Sequence, residues 1–380
     1  MVLILFWLCV GVVFYTYIGY PVIVILTGMV LNKEVKKMTY LPTVTILIPA
    51  YNEERFIRET LQNKLQLNYP KEKIEIIVVS DGSSDQTDKF VEEFSSQGVR
   101  LIRQNICQGK TAGLNRAVKV ARGEIIVFSD ANSLYHQDAL RHLMANFSDT
   151  TVGYVTGQMI YVHPTGAPMG DGCSAYMRYE NVIRRAETRA GSIVGVNGGV
   201  DAVRKTLYSP MRSDQLPDFV LPLCVLEKGF RIVFEPEAIL KEHALEQSID
   251  EYKMRVRVSL RALHAIKDKC YLLNPFKYGI FSWQLGSHKV LRYAAFLLFV
   301  PMYLSTLLLI SEDWVYRLAF WGQTLFYCSA LLGWYLERKA KGSGVLYVPF
   351  YFCLLNVASA FALWKFLNNE KQVTWIPRRG

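Results

Sequence analysis

The sequence of 380 residues predicts an α/β domain with a mostly parallel sheet, flanked by helices that cross a membrane. Between residues 41 and 250, short apolar runs alternate with amphipathic stretches, which is typical of parallel strands joined by helices. Long apolar runs occupy the beginning of the chain and its last hundred residues. Hydrophobic residues make up 51% of the chain and charged residues 20%. This composition excludes a disordered protein and is more apolar than that of most soluble enzymes.

Residues 1–31 contain no charged side chain and are predicted to form a transmembrane anchor. A span needs about 20 apolar residues, which this run exceeds. A cleaved signal peptide is the alternative, but the run lacks a basic beginning and is too long for the apolar core of such a peptide. Positive charges follow the run at Lys33, Lys36 and Lys37. Because positive charges favour the cytoplasmic side, we expect the following domain to be cytoplasmic.

Region 293–367 is predicted to hold about three further spans, at 293–310, 314–336 and 345–367. The basic residues Arg338, Lys339 and Lys341 would return the chain to the cytoplasm after the second of them. The tail, 368–380, would then lie outside with Arg378 and Arg379, which the same rule disfavours, so the side of the tail is left open. Together these segments predict a multi-pass protein of the plasma (inner) membrane.

The central region predicts a crevice lined with polar groups. Strands are expected at 44–49, 74–80, 99–103 and 124–129, and helices at 54–67, 85–94 and 111–121. In a parallel sheet the ligand binds beyond the carboxyl ends of the strands. The polar side chains expected at those ends are Asn52, Glu53, Asp81, Asp130 and Asn132.

Region 251–292 is basic, with nine Lys and Arg residues, two acidic residues and a net charge of +7. Its apolar residues are interleaved with the charges. An amphipathic helix lying on anionic membrane lipid is therefore the preferred interpretation of this interfacial segment. One or two of its arginines could instead bind a diphosphate, because a guanidinium donates paired hydrogen bonds.

Nucleic-acid binding draws support only from the net charge of +10, most of which lies in the basic segment beside a predicted span. No aromatic RNA-reading motif is present, so no nucleic-acid partner is expected. The seven cysteines form no CxxC pair and indicate neither a zinc site nor a disulfide framework.

Several short motifs follow one another in a fixed order. They are PAYNEE at 49–54, SDGSSD at 80–85, GKTAGLN at 109–115, FSDAN at 128–132, and an acid, Asp218, shortly before EKGFRIVFEPEA at 227–238. Each alone is typical of a turn or a helix cap. In this order the chain resembles the family 2 inverting glycosyltransferases, in particular the membrane-anchored branch with hyaluronan, chitin and cellulose synthases. The resemblance covers about residues 41–261.

The resemblance implies a nucleotide-sugar-binding domain of the GT-A type at 41–250, with a UDP-sugar donor and a divalent metal, Mg²⁺ or Mn²⁺. It implies that Asp81 accepts a hydrogen bond from the uracil and that Asp130 and Asn132 occupy the metal and diphosphate motif. The remaining donor-binding residues that it implies are Asn52, Glu53, Lys110, Asn115 and Arg257.

The metal motif of the family usually has two carboxylates, whereas this chain has Asn132 in the second place. An amide oxygen can bind a metal ion but brings no charge, so another group is expected to help, with Glu242 and His243 as candidates. Inversion also needs a base that takes the proton of the attacking hydroxyl group. The resemblance assigns that role to Asp218, although Pro217 replaces the other acid of the family's pair.

On the acceptor side, Gly198, Gly199 and Asp201 occupy the place where related enzymes approach the acceptor sugar. The polymerising members carry Gln-x-x-Arg-Trp, of which only Arg257 is present, with Met254 and Val258 in the other places. Loss of the indole removes a stacking surface for a growing glycan. The preferred function is therefore transfer of a sugar to a lipid-linked or glycan acceptor at the membrane, with membrane lipids as further partners. A processive synthase that exports its product through its own spans is one alternative, and an inactive scaffold that binds nucleotide sugars is another.

Overall fold

The computed structural model describes residues 1–162, 169–243, 248–339 and 344–372, with the backbone alone at 169–174 and 243. The chain divides into two compact units. The α/β unit comprises Gly28–Val162, Arg184–His243 and Lys371–Gly380, and the helical unit comprises Met1–Thr27, His163–Ile183 and Ala244–Glu370. Within the predicted domain 41–250, residues 169–183 belong to the helical unit, and the predicted bounds stay a prediction. Most of the predicted tail 368–380, from 373 onward, lies outside the described residues.

The described strands form one sheet in the order β3-β2-β1-β4-β7-β6-β8-β5. Their bounds are β1 (Val44–Ala50), β2 (Ile74–Asp81), β3 (Val99–Gln104), β4 (Ile125–Phe128), β5 (Leu134–Tyr135), β6 (Val152–Val162), β7 (Asp201–Arg204) and β8 (Arg231–His243).

The first half of the sheet, β3-β2-β1-β4, is parallel throughout, as the sequence predicts. All residues of β1 and β4 are buried, which explains why these strands are continuous apolar runs. The observed bounds agree with the predicted strands to within two residues. Parallel alignment brings the carboxyl ends of β1, β2 and β4 to one edge of the sheet, and the polar motifs follow directly from those ends.

The second half of the sheet is mixed and extends the parallel half at β4. Strand β7 runs antiparallel to both β4 and β6, while β6 runs parallel to β8. The pairing of β7 with β4 sets Asp201 opposite Phe128, two residues before Asp130. An acid of the second half therefore lies beside the polar end of the first half.

The helices connect and cover these strands in the α/β unit and form most of the helical unit. Their bounds are α1 (Val2–Phe14), α2 (Tyr20–Leu31), α3 (Ile57–Leu65), α4 (Thr87–Glu92), α5 (Lys110–Val120), α6 (Ala139–Ala145), α7 (Met169–Ala190), α8 (Pro217–Glu227), α9 (Ser248–Asp268), α10 (Pro275–Tyr278), α11 (Ile280–Leu285), α12 (Leu291–Ala294), α13 (Phe296–Leu308), α14 (Trp314–Arg338) and α15 (Tyr347–Leu367).

Among the described residues, two helical segments are long and apolar enough to cross a membrane. They are Val2–Leu31, in which one π-helical turn joins α1 to α2, and Gly344–Leu367, which contains α15. A third crossing is possible if Ile280–Ala294 and Phe296–Leu308, which meet at a bend of 60°, act as one span. The predicted span at 314–336 is the helix α14, but its Arg317, Gln323 and many Trp and Tyr residues leave it outside this group. Membrane association is indicated, and the four-span arrangement stays a prediction.

The basic segment begins with the long helix α9, whose apolar side is covered by protein. Val256 and Leu260 of α9 pack against Ala358 and Ala362 of α15, with Tyr252 and Leu263 at the edge. A sequence alone does not distinguish an apolar face that meets lipid from one that meets another helix. The expected lipid-facing side of α9 is therefore a helix–helix contact. Residues 280–292 of the predicted segment are also part of the bent apolar pair.

Candidate active site

Two loops at the ends of β1 and β2 are hydrogen-bonded to each other. Asn52 adopts a left-handed backbone conformation with φ of 55°, and its side-chain oxygen accepts a hydrogen bond of 2.8 Å from the Ser84 backbone N–H. The Glu53 backbone N–H donates to the Thr87 hydroxyl at 2.8 Å. Asn tolerates positive φ better than most residues, which explains its place at this turn. The predicted donor-binding residues Asn52 and Glu53 thus fix the shape of this loop pair.

Asp81, at the end of β2, is bonded to the loop that leads into α5. Its carboxylate accepts hydrogen bonds of 2.8 Å from the backbone N–H groups of both Gln108 and Gly109, and its side chain is almost completely buried. Gly109 has φ of 90° and precedes the first residue of α5, Lys110. Asp81 therefore positions the beginning of α5. Its predicted contact with a uracil stays a prediction.

Lys110, Asp130 and Asp218 converge although they come from three separate segments. The ammonium group of Lys110 lies 2.7 Å from Asp130 Oδ1 and 3.8 Å from Asp218 Oδ2. The side chains of Asp130 and Asp218 are 23% and 27% exposed, so both can meet a ligand. Burial lowers the pKa of Lys110, but the two carboxylates outweigh burial and hold its pKa above the usual range. The lysine is therefore positively charged at neutral pH.

Two glycines lie between the carboxylates of this cluster. A Cβ atom on Gly198 would be 3.0 Å from Asp218 Oδ2, and one on Gly199 would be 3.3 Å from Asp130 Oδ2. Both glycines have positive φ, 73° and 71°, which other residues rarely adopt. A side chain at either position would therefore strain the backbone and press on a carboxylate. These glycines bring the backbone close to both acids.

Asp201, the first residue of β7, is 0% exposed. Burial and the negative charge of Asp218 raise the pKa of Asp201 to about 7, against the opposite effects of Thr156 and Lys110. A fully buried carboxyl group does not reach an acceptor sugar, so the expected acceptor contact of Asp201 does not fit its position. The negative charge of Asp218 acts on its carboxyl group, so Asp201 lies near the candidate base.

The candidate metal ligands are Asp130 and Asn132. The Asn132 side-chain NH₂ group lies 3.3 Å from Glu242 Oε1, and Glu242 is almost completely buried, so one of the two expected helpers lies beside the motif. The side chain of His243 lies outside the described residues. Within the described ranges, no three His, Cys, Asp or Glu side chains form a metal-binding group. Because Mg²⁺ is commonly held by one or two carboxylates and substrate phosphates, this oxygen set fits a cation that binds together with a nucleotide.

Helix α5 connects both sides of the site. Asn115 donates to Met211 O at 2.6 Å and accepts from the Tyr208 hydroxyl at 2.7 Å. Thr111 donates to Gln215 O at 2.9 Å. The segment that α5 holds in this way leads directly into α8, which carries Asp218 in its first turn. Asn115, expected at the donor, is thus bonded to the chain that positions the candidate base.

Sequence reasoning missed two buried residues behind the metal motif. Lys64 donates to Ser133 O at 2.6 Å, and its ammonium group lies 3.6 Å from the centre of the Tyr135 ring. The Tyr135 hydroxyl lies 2.7 Å from Gly199 O. Burial lowers the pKa of Lys64 well below its usual range, against the effect of Asp130. Lys64 lies on the apolar side of the predicted helix 54–67, and this position could have indicated a buried lysine from the sequence.

Arg257 belongs to α9 and therefore to the helical unit. Each other predicted site residue lies in the α/β unit. Its predicted role at the diphosphate stays a prediction.

Comparisons with known proteins agree with this arrangement. Residues 45–172 match Glycosyl transferase family 2. The chain is 29% identical over 237 residues to the probable glycosyltransferase YdaM of Bacillus subtilis (strain 168), a match covering 58% of this chain and 56% of that protein. It is 28% identical over 222 residues to the poly-beta-1,6-N-acetyl-D-glucosamine synthase of Staphylococcus aureus (strain COL), covering 56% and 53%. The chain spans about half the length of these curated relatives.

A solved structure matches nearly the whole chain. The mannosyltransferase PcManGT from Pyrobaculum calidifontis, in complex with GDP-Man and Mn²⁺, superposes with a TM-score of 0.70 over 96% of this chain and 99% of that one. The sequence identity is 21%, so the similarity establishes the fold. The α/β fold of the GT-A type expected from the motifs is confirmed. Residues 45–172 are similar to glycosyltransferase family 2, as the motifs predict.

Proposed function

We propose that this protein is a membrane-bound inverting glycosyltransferase that moves a sugar from a UDP-sugar to a lipid-linked or polysaccharide acceptor at the cytoplasmic face of the plasma (inner) membrane. The observation that carries the proposal is the convergence of Asp218, Lys110 and Asp130 at the carboxyl edge of the sheet. The two acids are partly exposed and come from distant segments. If these motifs were only turns and helix caps, their acidic side chains would have no reason to meet at one place.

A nucleoside diphosphate sugar fits the charges of the site. The solved relative from Pyrobaculum calidifontis contains GDP-Man and Mn²⁺, which supports a nucleotide-sugar donor and a divalent metal here as well. Asp130 and Asn132 would hold the metal, which when bound offsets the negative charge of the leaving diphosphate. A polar cavity of about 400 Å³, lined by Gly82, Asp85 and Arg103 among others, adjoins Asp81 in sequence and is a candidate pocket for the nucleoside.

Asp218 is the candidate general base. The acceptor hydroxyl oxygen attacks the anomeric carbon from the face opposite the diphosphate, and Asp218 takes the hydroxyl proton. The new bond joins acceptor oxygen to anomeric carbon, and the bond from that carbon to the diphosphate oxygen breaks with its electron pair. Lys110 is held between Asp130 and Asp218, at 2.7 and 3.8 Å from their carboxylate oxygens.

Processive synthesis is the second candidate, favoured by the similarity to the poly-beta-1,6-N-acetyl-D-glucosamine synthase. Met254 and Val258 argue against it, since they replace the amide and the indole of the element that polymerising members use. The length of the product separates these two functions.

The decisive experiment combines the full-length protein in detergent with a panel of UDP- and GDP-sugars, Mg²⁺ or Mn²⁺, and lipid extract as acceptor. Nucleotide release and product mass are measured. We expect release with one donor, addition of one sugar, and loss of activity on chelation of the metal. A ladder of products would indicate processive synthesis, and donor binding without release would indicate the inactive scaffold.

The matched variants are Asp218→Asn and Glu237→Gln. Glu237 is an exposed acid on β8, 70% accessible, and its amide variant should behave like the wild type. Asp218→Asn at wild-type activity would reject the base assignment.

A further inference from the structure

The helical unit contains a cavity of about 430 Å³ that no part of the proposed chemistry uses. Tyrosines and apolar residues form most of its wall, among them Tyr17, Tyr176, Tyr293, Phe352 and Leu355. Tyr17 belongs to the candidate span Val2–Leu31, and the last two belong to α15. The cavity is therefore lined in part by the helices most suited to a membrane.

Two arginines are part of this largely apolar wall, and one of them is Arg255 of α9. Its Nε donates to Glu251 Oε1 at 2.8 Å, and its Nη2 donates to the Tyr351 hydroxyl at 2.9 Å. The same hydroxyl donates to Glu251 at 2.8 Å. Glu251 is buried and is not part of the cavity wall. The carboxylate thus holds the guanidinium from behind while the cation faces the cavity.

Arg292 is held in the same way. It forms an ion pair with Glu180, and its Nη2 lies 3.3 Å from the Tyr179 hydroxyl. Its Nε is buried and has no hydrogen-bond partner among the residues that the structure describes. Glu180 is 1% exposed, accepts from His288 at 3.2 Å, and is not part of the wall. A second cation therefore faces the cavity with a carboxylate behind it.

The charges around the cavity favour an anion. Burial raises the pKa of Glu180, but Arg292, His288 and Lys289 outweigh burial and hold it well below the usual range. Among the described residues, the charged side chains of the cavity wall are Arg255 and Arg292, whereas Glu180 and Glu251 lie outside it. Guanidinium groups recognise phosphate through paired hydrogen bonds, and a largely apolar wall suits a hydrocarbon chain.

We propose that this cavity binds a lipid phosphate, with its phosphate group at Arg255 and Arg292 and its hydrocarbon chain along α15. The lipid phosphate would be the sugar acceptor, and that role rests on the function proposed above. Binding of the lipid phosphate to the cavity does not depend on that function. A bilayer phospholipid offers the same headgroup chemistry, and a glycan is the other occupant that a tyrosine-rich wall could suit.

Binding is measured by titration on the full-length protein in detergent, without donor. The probes are farnesyl phosphate, farnesol, inorganic phosphate, phosphatidylglycerol and chitobiose. We expect farnesyl phosphate to bind about tenfold or more tightly than each of the others, because both the charged hydrogen bonds and the apolar contacts are then used. Equal binding of farnesol would remove the role of the arginines, equal binding of phosphatidylglycerol would reject the lipid-phosphate acceptor, and preferential binding of chitobiose would overturn the proposal.

The variants isolate the cavity from the rest of the helix. The double variant Glu251→Gln, Arg255→Gln removes one ion pair but keeps hydrogen-bonding groups. It should weaken the binding of farnesyl phosphate about tenfold. The matched control is Asp250→Asn with Lys253→Gln, which removes an ion pair of 3.6 Å on the exposed side of the same helix and should leave binding unchanged. Ser359→Phe narrows the cavity without changing a charge and should weaken binding of farnesyl phosphate as well. This variant keeps the proposal testable if the double variant does not fold. Unchanged binding in both cavity variants would overturn the proposal.

The two proposals fail in different ways. Tight binding of farnesyl phosphate with no nucleotide release from any donor would reject the transferase function and leave the lipid site intact. Sugar transfer to another acceptor, without binding of farnesyl phosphate, would reject the lipid site alone.

Discussion

The α/β unit and the helical unit each bury a carboxyl group almost completely, and their surroundings act on the two groups in opposite directions. Asp201 in the α/β unit lies near the carboxylate of Asp218, and burial with that charge raises its pKa to about 7. Glu180 in the helical unit lies against Arg292 and His288, which hold its pKa well below the usual range in spite of burial.

This difference indicates what each unit is suited to bind. Near Asp201, the single ammonium group of Lys110 is in contact with two carboxylates, Asp130 and Asp218, so added positive charge is favourable there. Around Glu180 the cations exceed the carboxylates, so an added anion is favourable. A divalent metal with a nucleotide suits the first arrangement and a phosphate group suits the second.

The largest effect is expected from Asp218→Asn. This variant removes the negative charge near Asp201, whereas the charged neighbours of Glu180 are cations. Loss of a general base should lower turnover by about 10²- to 10⁴-fold, with donor affinity little changed. Initial rates at saturating donor and direct donor titration measure the two quantities. A parallel loss of donor affinity would mean that Asp218 binds the donor and is not the base.

The next largest effect is a difference in stability between the variants Glu180→Gln and Asp201→Asn. Glu180→Gln leaves Arg292, whose side chain is only 15% exposed, without its countercharge, and should lower the free energy of unfolding by about 3–5 kcal/mol. Asp201→Asn removes a charge that the fold disfavours, and should change it by about 1 kcal/mol or less. Denaturation of both full-length variants in detergent at neutral pH measures this. Equal losses would show that the two carboxyl groups have similar environments after all.

The pH dependence of stability tests Asp201 more finely. Its ordinary pKa of 3.8 is raised to about 7 in the folded state, so the folded protein binds this proton more tightly than the unfolded chain. Its contribution to stability is fully present below about pH 4 and is lost as the pH rises to about 7. As the pH rises from about 4 to about 7, the melting temperature of Asp201→Asn should increase by a few degrees relative to that of the wild type. A constant difference across that range would contradict the raised pKa.

The smallest effect is expected at Asn132. Asn132→Asp adds a carboxylate ligand, and should lower the metal concentration needed for half-maximal activity a few-fold. Asn132→Ala should raise it by a similar factor. If Glu242, which lies beside Asn132, already supplies the missing charge, the aspartate variant will gain nothing while the alanine variant still loses.

The parallel half of the fold and the central residues of the site could be predicted from the sequence. Buried parallel strands are continuous apolar runs, so their ends, and with them Asp81 and Asp130, are visible in the printed sequence. The antiparallel strand β7, and β8, which pairs in parallel with β6, were not predicted as sheet partners. Strand direction and register depend on contacts between distant segments. The burial of Asp201 follows from that pairing and could not be foreseen. The apolar face of α9 was assigned to lipid, since hydropathy does not identify the partner that covers a face.

Helix α5 begins with Lys110, and its Thr111 and Asn115 hold the segment that leads to Asp218. A protein engineer who wishes to change sugar specificity should therefore keep Thr111 and Asn115. The distance between the lysine and the candidate base should then survive the redesign. Substitution of Asn115, by contrast, is expected to disturb both halves of the reaction at once.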